Sequence, residues 1–379
     1  MKHYLIFVLL LVPFMSAFSQ QEKTEKQTKR SSVRSVEDLA INPEEYFRVN
    51  LSRKKLTEFP IAVLKCINVE DLNLSMNDIS TIPDQLGDVK KIKKLNLSST
   101  KITTLPASIG KLTELEDLDI SSTQIASLPD LSTLKKLKKL NISQTLIKTI
   151  PQSIEGLTSL EELHISGTKL SSFPNLSGFK SLRLLHIDGT GLTSIPSEIG
   201  KLTELREVNI ASNGLVSIPK EIFSLANLTN IDCSKNKLTT IPKELFSLAR
   251  LDRIQLSENN IKQLPQDIPE NTTLKVIDLS SNGLTQIHPS LWKCTGLSKL
   301  HLDNNALTTL PAGISALQKL TILDIGNNPL ESLPIKELSN LPMLQQVVFM
   351  NKKEIEEKKN KKNNPPQPET PNKPTDSKK

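Results

Sequence analysis

Residues 202–219 read LTELREVNIASNGLVSIP, and the same frame returns at 225–242 as LANLTNIDCSKNKLTTIP. Leu202, Leu205, Val208 and Ile210 are apolar, and Asn213, Leu215, Ile218 and Pro219 follow at fixed offsets. Leu225, Leu228, Ile231, Cys233, Asn236, Leu238, Ile241 and Pro242 match them one for one. Counting Leu205 as position 1, the apolar residues at positions 4 and 6 bracket one outward side chain, as in a short strand. The polar residue at position 9 falls where the strand must turn.

The period extends in both directions from this stretch. Pro60, Pro83, Pro106, Pro129, Pro151, Pro174, Pro196, Pro219, Pro242, Pro265, Pro311 and Pro334 recur at 22 or 23 residues, with His288 standing in the one remaining place. A period of this length marks a stacked array. One unit cannot bury its own apolar side chains, each worth roughly 1.5–3 kcal/mol when buried, whereas a neighbour on each side can. The spacing predicts an α/β solenoid of about 13–14 repeats with one parallel sheet. A convex segment such as PKEIFSLANL, with apolar residues at helical spacing, follows each strand. The 22-residue units, PDLSTLKKL and PNLSGFKSL, are one residue short there and predict a tighter turn.

Position 9 carries Asn77, Asn213, Asn236, Asn259, Asn282, Asn305 and Asn328, an amide able to satisfy backbone donors and acceptors at the turn. Five consecutive repeats use Thr100, Thr123, Thr145, Thr168 and Thr190 instead. A hydroxyl offers fewer bonds than an amide, so this block is expected to be locally less stable.

With this frame the chain resembles the leucine-rich repeat family, in its 23-residue LP-x-x-I-G-x-L-x-x-L class, over about residues 44–350. The units ISGTKL at Ile165 and IDGTGL at Ile187 are similar to its threonine variant. That class occurs in plant disease-resistance proteins, Ras-binding scaffolds and exported bacterial proteins. The resemblance implies a horseshoe with a parallel concave sheet and a protein partner held on that sheet or its rim. The disulfide-rich caps, ubiquitin-ligase domain, nucleotide-binding domain and cell-wall sorting signal of particular family members have no counterpart here.

The ends have a different composition. Residues 1–19, MKHYLIFVLLLVPFMSAFS, have a basic start, a short apolar run and small residues, and read as a secretory signal peptide. The run is too short to span about 30 Å of hydrocarbon. Residues 20–36 read as a flexible basic linker and 352–379 as a basic, Pro-rich disordered tail, with 37–351 as the solenoid and its short caps. Asn42 is placed as a helix cap ahead of Pro43, and KKEIEEKKNKK as a capping helix after a degenerate last strand at LQQVVFMN.

Of the formal charge of +7, the start of the chain carries +1 (Lys2), the linker +3 and the tail +4, leaving −1 for residues 37–351. A nucleic-acid reading of the overall charge is therefore set aside. Cys66, Cys233 and Cys294 fill core positions in separate repeats, so no intrachain disulfide is expected.

No motif points to catalysis, a cofactor or a small-molecule substrate. Ser98, Ser121, Ser143 and Ser166 recur at position 7 and read as turn residues rather than nucleophiles. His164 and His186 stand on neighbouring strands near Asp188. They read as solvated histidines in preference to metal ligands. His301 lies between Asp278 and Asp324, which favours its charged form, and reads as a cross-strand pair rather than a metal or catalytic group. Trp292 falls on the convex side and reads as packing.

The expected function is an exported, non-enzymatic protein-binding solenoid, periplasmic, surface-bound or secreted. The alternative is an envelope-associated structural or adhesion protein held by its basic tail. Blocks of alternating charge, Glu70–Asp71, Lys93–Lys94, Glu116–Asp117, Lys138–Lys139 and Glu161–Glu162, pair across neighbouring strands early in the array. Later, Leu184, Val276 and Ile322 place apolar residues in that row. The partner-binding surface is accordingly expected at Arg253, Val276, Asp278, Lys299, His301, Asp303, Ile322 and Asp324 on the concave face.

Overall fold

A computed structural model describes residues 32–349. The chain divides into two compact units, one ending at Asn236 and one beginning at Lys237. Ten parallel strands in chain order line the first: β1 Ser32–Val33, β2 Arg48–Asn50, β3 Asp71–Asn73, β4 Lys94–Asn96, β5 Asp117–Asp119, β6 Lys139–Asn141, β7 Glu162–His164, β8 Leu184–His186, β9 Glu207–Asn209 and β10 Asn230–Asp232. The second carries β11 Arg253–Gln255, β12 Val276–Asp278, β13 Lys299–His301, β14 Ile322–Asp324 and β15 Gln346–Val348, also parallel and in order. From β2 onward each strand begins at position 3 of the frame and ends at position 5, so the central residue points inward and its two neighbours outward.

The repeat places its apolar set in a dry interior. Leu115, Leu118, Ile120 and Ile125 of one unit are all fully buried. After the strand, the proline lies in extended backbone and its carbonyl accepts the amide three residues on, as Pro106 does from Ile109 at 3.0 Å. Most convex segments are therefore five-residue 3-10 turns such as Ala107–Lys111, the later exceptions being a three-residue turn at Ile314–Ala316 and a short α-helix at Ile335–Leu338. The 22-residue units have no such turn between β5 and β6 or between β7 and β8, in line with their missing residue. The Pro265 unit also lacks one, although its length is full. Pro269 lies within it and has no N–H to donate. Buried Asn271 organises this segment instead, donating to Phe246 O at 2.8 Å and accepting from Leu274 N at 2.8 Å. Repeats stack closely enough that a Cβ on Gly87 would lie 2.3 Å from the Ser108 carbonyl oxygen.

Position 9 closes the corner. Asn77 Nδ2 donates to Leu51 O, Leu74 O and Ser75 O at 2.8–3.2 Å. Its Oδ1 accepts from Lys54 N and Leu56 N in the preceding repeat at 2.9 and 3.1 Å. Asn236 repeats the pattern and is buried, while Asn213 makes the same bonds half-buried rather than buried as expected. The threonines donate within their own repeat: Thr100 to Leu97 O at 2.7 Å, Thr123 to Ile120 O and Thr145 to Ile142 O at 2.8 Å. The residue before position 9 sits in left-handed backbone throughout, as at Ser99 (φ 54°) and Lys235 (φ 56°). In two threonine repeats that residue is glycine, Gly167 and Gly189, which adopts this backbone without strain.

The ends depart from the sequence reading. Ser32 and Val33, inside the stretch read as linker, pair with Arg48 and Val49 as an additional strand, and Val33 is buried. The segment at 43–45 is a 3-10 turn, and Asn42 does not cap it through its side chain; it lies in left-handed backbone (φ 51°). At the other end, β15 forms where the degenerate strand was expected, but Val347 at its centre is 36% exposed, whereas the equivalent Leu323 is fully buried. The signal peptide, most of the linker, the proposed capping helix and the tail lie outside the described residues.

The amide corner predicts a graded response. Asn236→Ala removes the bonds to the Ile210 and Cys233 carbonyls and from the Leu215 amide, leaving Ser234 O with Ser212 N alone, and should cost on the order of 1–3 kcal/mol in urea unfolding. Thr123→Ala removes one bond and should cost less; equal losses would contradict the assignment.

Candidate functional site

Position 5, the last residue of each strand, forms the central row of the sheet face. In most repeats it is Asn or Asp, and its side chain is occupied by the fold. Asn73, Asn96, Asp119, Asn141, Asn209, Asp232, Asp278 and Asp324 each accept, through Oδ1, the amide two residues on, at 2.9–3.1 Å. Serine at position 7 adds a second bond to the same oxygen, as Ser98 and Ser121 do at 2.7 Å. This local turn ends the strand. Sequence reading missed it and took the whole row as equivalent polar surface. The visible signal was the pairing of Asn or Asp at position 5 with Ser at position 7.

Among the described residues His164, His186 and His301 do not make that turn, and they stand out in the row. The rings of His164 and His186 meet edge to face with centroids 4.9 Å apart. His186 Nε2 lies 2.9 Å from Glu207 Oε1, and His164 Nε2 lies 3.8 Å from Glu162 Oε2. Asp188 is not directed to the pair; its Oδ1 accepts the Ser166 hydroxyl at 2.5 Å. Burial pulls the His164 imidazole below its ordinary range, and His186 adds to this.

In the first unit the charges beside the strands pair across the stack. Lys93 bonds Glu70 at 3.0 Å, Lys138 bonds Glu116 at 2.8 Å, Lys139 bonds Glu162 at 2.7 Å and Arg183 bonds Glu161 at 2.7 Å. The hydrogen bond from Lys138 holds the Glu116 carboxyl below the usual carboxylate range. The alternation read from sequence is therefore an internal pairing pattern.

In the second unit Arg253, Val276, Lys299 and Ile322 stand side by side at position 3, and Gln255, Asp278, His301 and Asp324 at position 5. Asp303 follows His301 at position 7. Val276 is a correction: only 8% of it is exposed, so it is not the open apolar contact expected. Its register neighbours are Arg253 and Lys299, whose long aliphatic stems suit such cover. Ile322 is partly exposed. His301, Asp303 and Asp324 converge, with one donor atom from each within 4.8 Å of the others. Burial pushes the Asp303 carboxyl up, and Asp324 adds to the shift. Arg253 and Lys299 form no ion pair among the described residues.

The remaining candidates are structural. Trp292 is buried and donates from Nε1 to Ala312 O at 3.1 Å. Cys66, Cys233 and Cys294 are buried and form no disulfide among the described residues, and burial pushes the Cys66 thiol up to about 11.

Family models described as leucine-rich repeat region and leucine-rich repeat match residues 49–188, 203–261, 273–294 and 295–348. The chain belongs to the leucine-rich repeat family. Among solved structures, a Leptospira interrogans leucine-rich repeat protein is 31% identical with a TM-score of 0.70, covering 81% of this chain and 84% of that one. The ectodomain of an Arabidopsis thaliana membrane receptor kinase, in complex with Casparian strip integrity factor 2, is 25% identical with a TM-score of 0.63, covering 78% and 40%. An internalin from Listeria monocytogenes, 20% identical with a TM-score of 0.60 over 84% and 89%, shares the fold. No curated protein matches the chain. Leucine-rich repeat scaffolds are typical protein–protein interaction folds. Among the described residues no helix is long and apolar enough to cross a membrane.

The position-5 turn and the His164 environment together predict a pH effect. His164→Asn restores the strand-ending turn and should raise the melting temperature. Because folding holds the His164 pKa below its ordinary 6.5, the unfolded chain binds more protons as pH falls below that value, and the native state loses stability there. Melting curves from pH 7.5 to 5 should therefore fall less steeply for His164→Asn than for the parent.

Proposed function

We propose that this leucine-rich repeat protein is an exported, non-enzymatic scaffold that binds a protein partner through the sheet face of its second unit. One observation carries the reading. Position 5 and the paired charges of the first unit are committed to the fold, whereas Arg253, Lys299, His301, Asp303 and the partly exposed Ile322 on the second unit are not bound into such pairs. Uncommitted polar groups around a partly exposed apolar residue supply directional contacts and burial together. Val276 supports this surface from beneath, and Asp278 and Asp324 contribute their outer carboxylate oxygens. The plant receptor ectodomain similar in fold is a precedent for a repeat array that takes up another polypeptide. Export rests on the sequence of residues 1–19.

Cross-linking of the native protein in its host, followed by identification of the captured polypeptide, is the direct test. With the partner in hand, Ile322→Asp and Lys299→Glu should each weaken binding about tenfold or more, whereas Lys94→Ala and Asp117→Ala should leave it unchanged. The opposite pattern would place the contact on the first unit. Retention of the protein on envelopes, released by salt and lost on deletion of residues 352–379, would favour the tail-anchored alternative.

A further inference from the structure

Three breaks in the repeat frame coincide on neighbouring strands of the second unit. His301 replaces the Asn or Asp that ends the strand elsewhere. Asp303 replaces the serine two residues later. Gly326 replaces that serine in the next repeat. None of these substitutions serves the corner or the strand-ending turn, and together they make a donor set of one imidazole nitrogen and two carboxylate oxygens within 4.8 Å of one another. We propose that His301, Asp303 and Asp324 bind a divalent transition-metal ion, of the zinc or manganese type, on the sheet face.

The surroundings fit such a site in three ways. First, each carboxylate is held by one oxygen and leaves the other. Asp324 Oδ1 accepts Gly326 N at 3.1 Å, and Asp303 Oδ2 accepts Asn304 Nδ2 at 2.5 Å. Outer hydrogen bonds of this kind orient metal-ligating carboxylates. Second, the His301 ring is uncommitted. Of the other described histidines, His186 bonds Glu207, His288 accepts Ser290 N at 3.2 Å and His164 lies against Glu162 and His186. His301 makes no hydrogen bond or ion pair among the described residues. Third, the glycine keeps the space open. A Cβ at Gly326 would lie 3.3 Å from Asp324 Oδ1 and 4.0 Å from Asp303 Cβ. The serine of the standard frame would bring its Cβ against Asp324 Oδ1 and its hydroxyl to the same carboxylate, as Ser280 does at Asp278.

Ligands at about 2.0–2.2 Å from one ion hold their donor atoms roughly 3–3.6 Å apart, so side-chain rotation must close the cluster by about an ångström on loading. Imidazole with carboxylates selects borderline divalent ions over calcium and magnesium. Three protein donors leave coordination positions that face solvent.

The test needs no partner, so its result is separate from that of the protein-contact reading. The purified full chain is titrated calorimetrically with zinc, manganese, calcium and magnesium chlorides, and its melting temperature is followed in parallel. Zinc should bind at one site and raise the melting temperature, with manganese weaker and calcium and magnesium weaker still. His301→Ala and Asp303→Asn should each lower zinc affinity about tenfold or more. Gly326→Ser restores the standard frame residue, should keep the parent melting temperature without metal, and should also weaken zinc. His164→Ala should leave zinc affinity unchanged. Absence of zinc binding, zinc binding that survives both His301→Ala and Asp303→Asn, or calcium binding as tight as zinc would each overturn the assignment.

Discussion

The structure depends on satisfying backbone groups at the corner where each strand turns away from its sheet. A strand of three residues leaves carbonyls and amides without ladder partners inside a dry stack, and each unmatched group costs stability. The asparagine amide answers this by bonding backward into the preceding repeat as well as within its own. The same contact that closes the turn therefore fixes the spacing of the stack. The leucines supply the driving force for stacking, and the amide sets its register.

The threonine block shows what the amide contributes. Thr100, Thr123 and Thr145 close their own turns with one hydroxyl bond each. Across these repeats, register is supported by the ion pairs that run from Glu70 to Arg183. Exposed pairs are individually weak, but here they recur on successive strands where the position-9 amides are missing. The charge pattern and the threonine run thus belong to one design, in which surface electrostatics supplement a weaker interior tie.

Most of the fold was legible because the period is rigid. Thirteen marked positions 22 or 23 residues apart leave little freedom in where the strands fall, and Leu118 or Leu300 could be placed inward by counting. β1 was not legible, because a two-residue strand at Ser32–Val33 carries no frame. The missing 3-10 turn at Pro269 depended on a single absent N–H. The burial of Val276 could not be counted from its outward position in the frame, which it shares with the exposed Arg253 and Lys299. All three members of the His301, Asp303 and Asp324 cluster were in the surface chosen from sequence, but only as part of a row of eight. Their convergence became apparent once position 5 was seen to be occupied elsewhere by the strand-ending turn. In the sequence that role shows only as the recurrence of Asn or Asp at position 5 with Ser at position 7.

The turn at position 5 also bears on how this surface can change over generations. A side chain that both faces outward and holds the backbone is not free to drift, since altering it for a new partner also loosens the strand end. Position 3 makes no such bond to the backbone; it joins ion pairs at Lys139 and Glu162 and otherwise varies among Arg, Asp, Lys, Glu, Leu, Asn, Val, Ile and Gln along the array. The sheet face is thus two interleaved rows with different liberty. One row is held by folding, and the other is open to selection for recognition. A histidine admitted to the constrained row marks a repeat that has given up part of its local support.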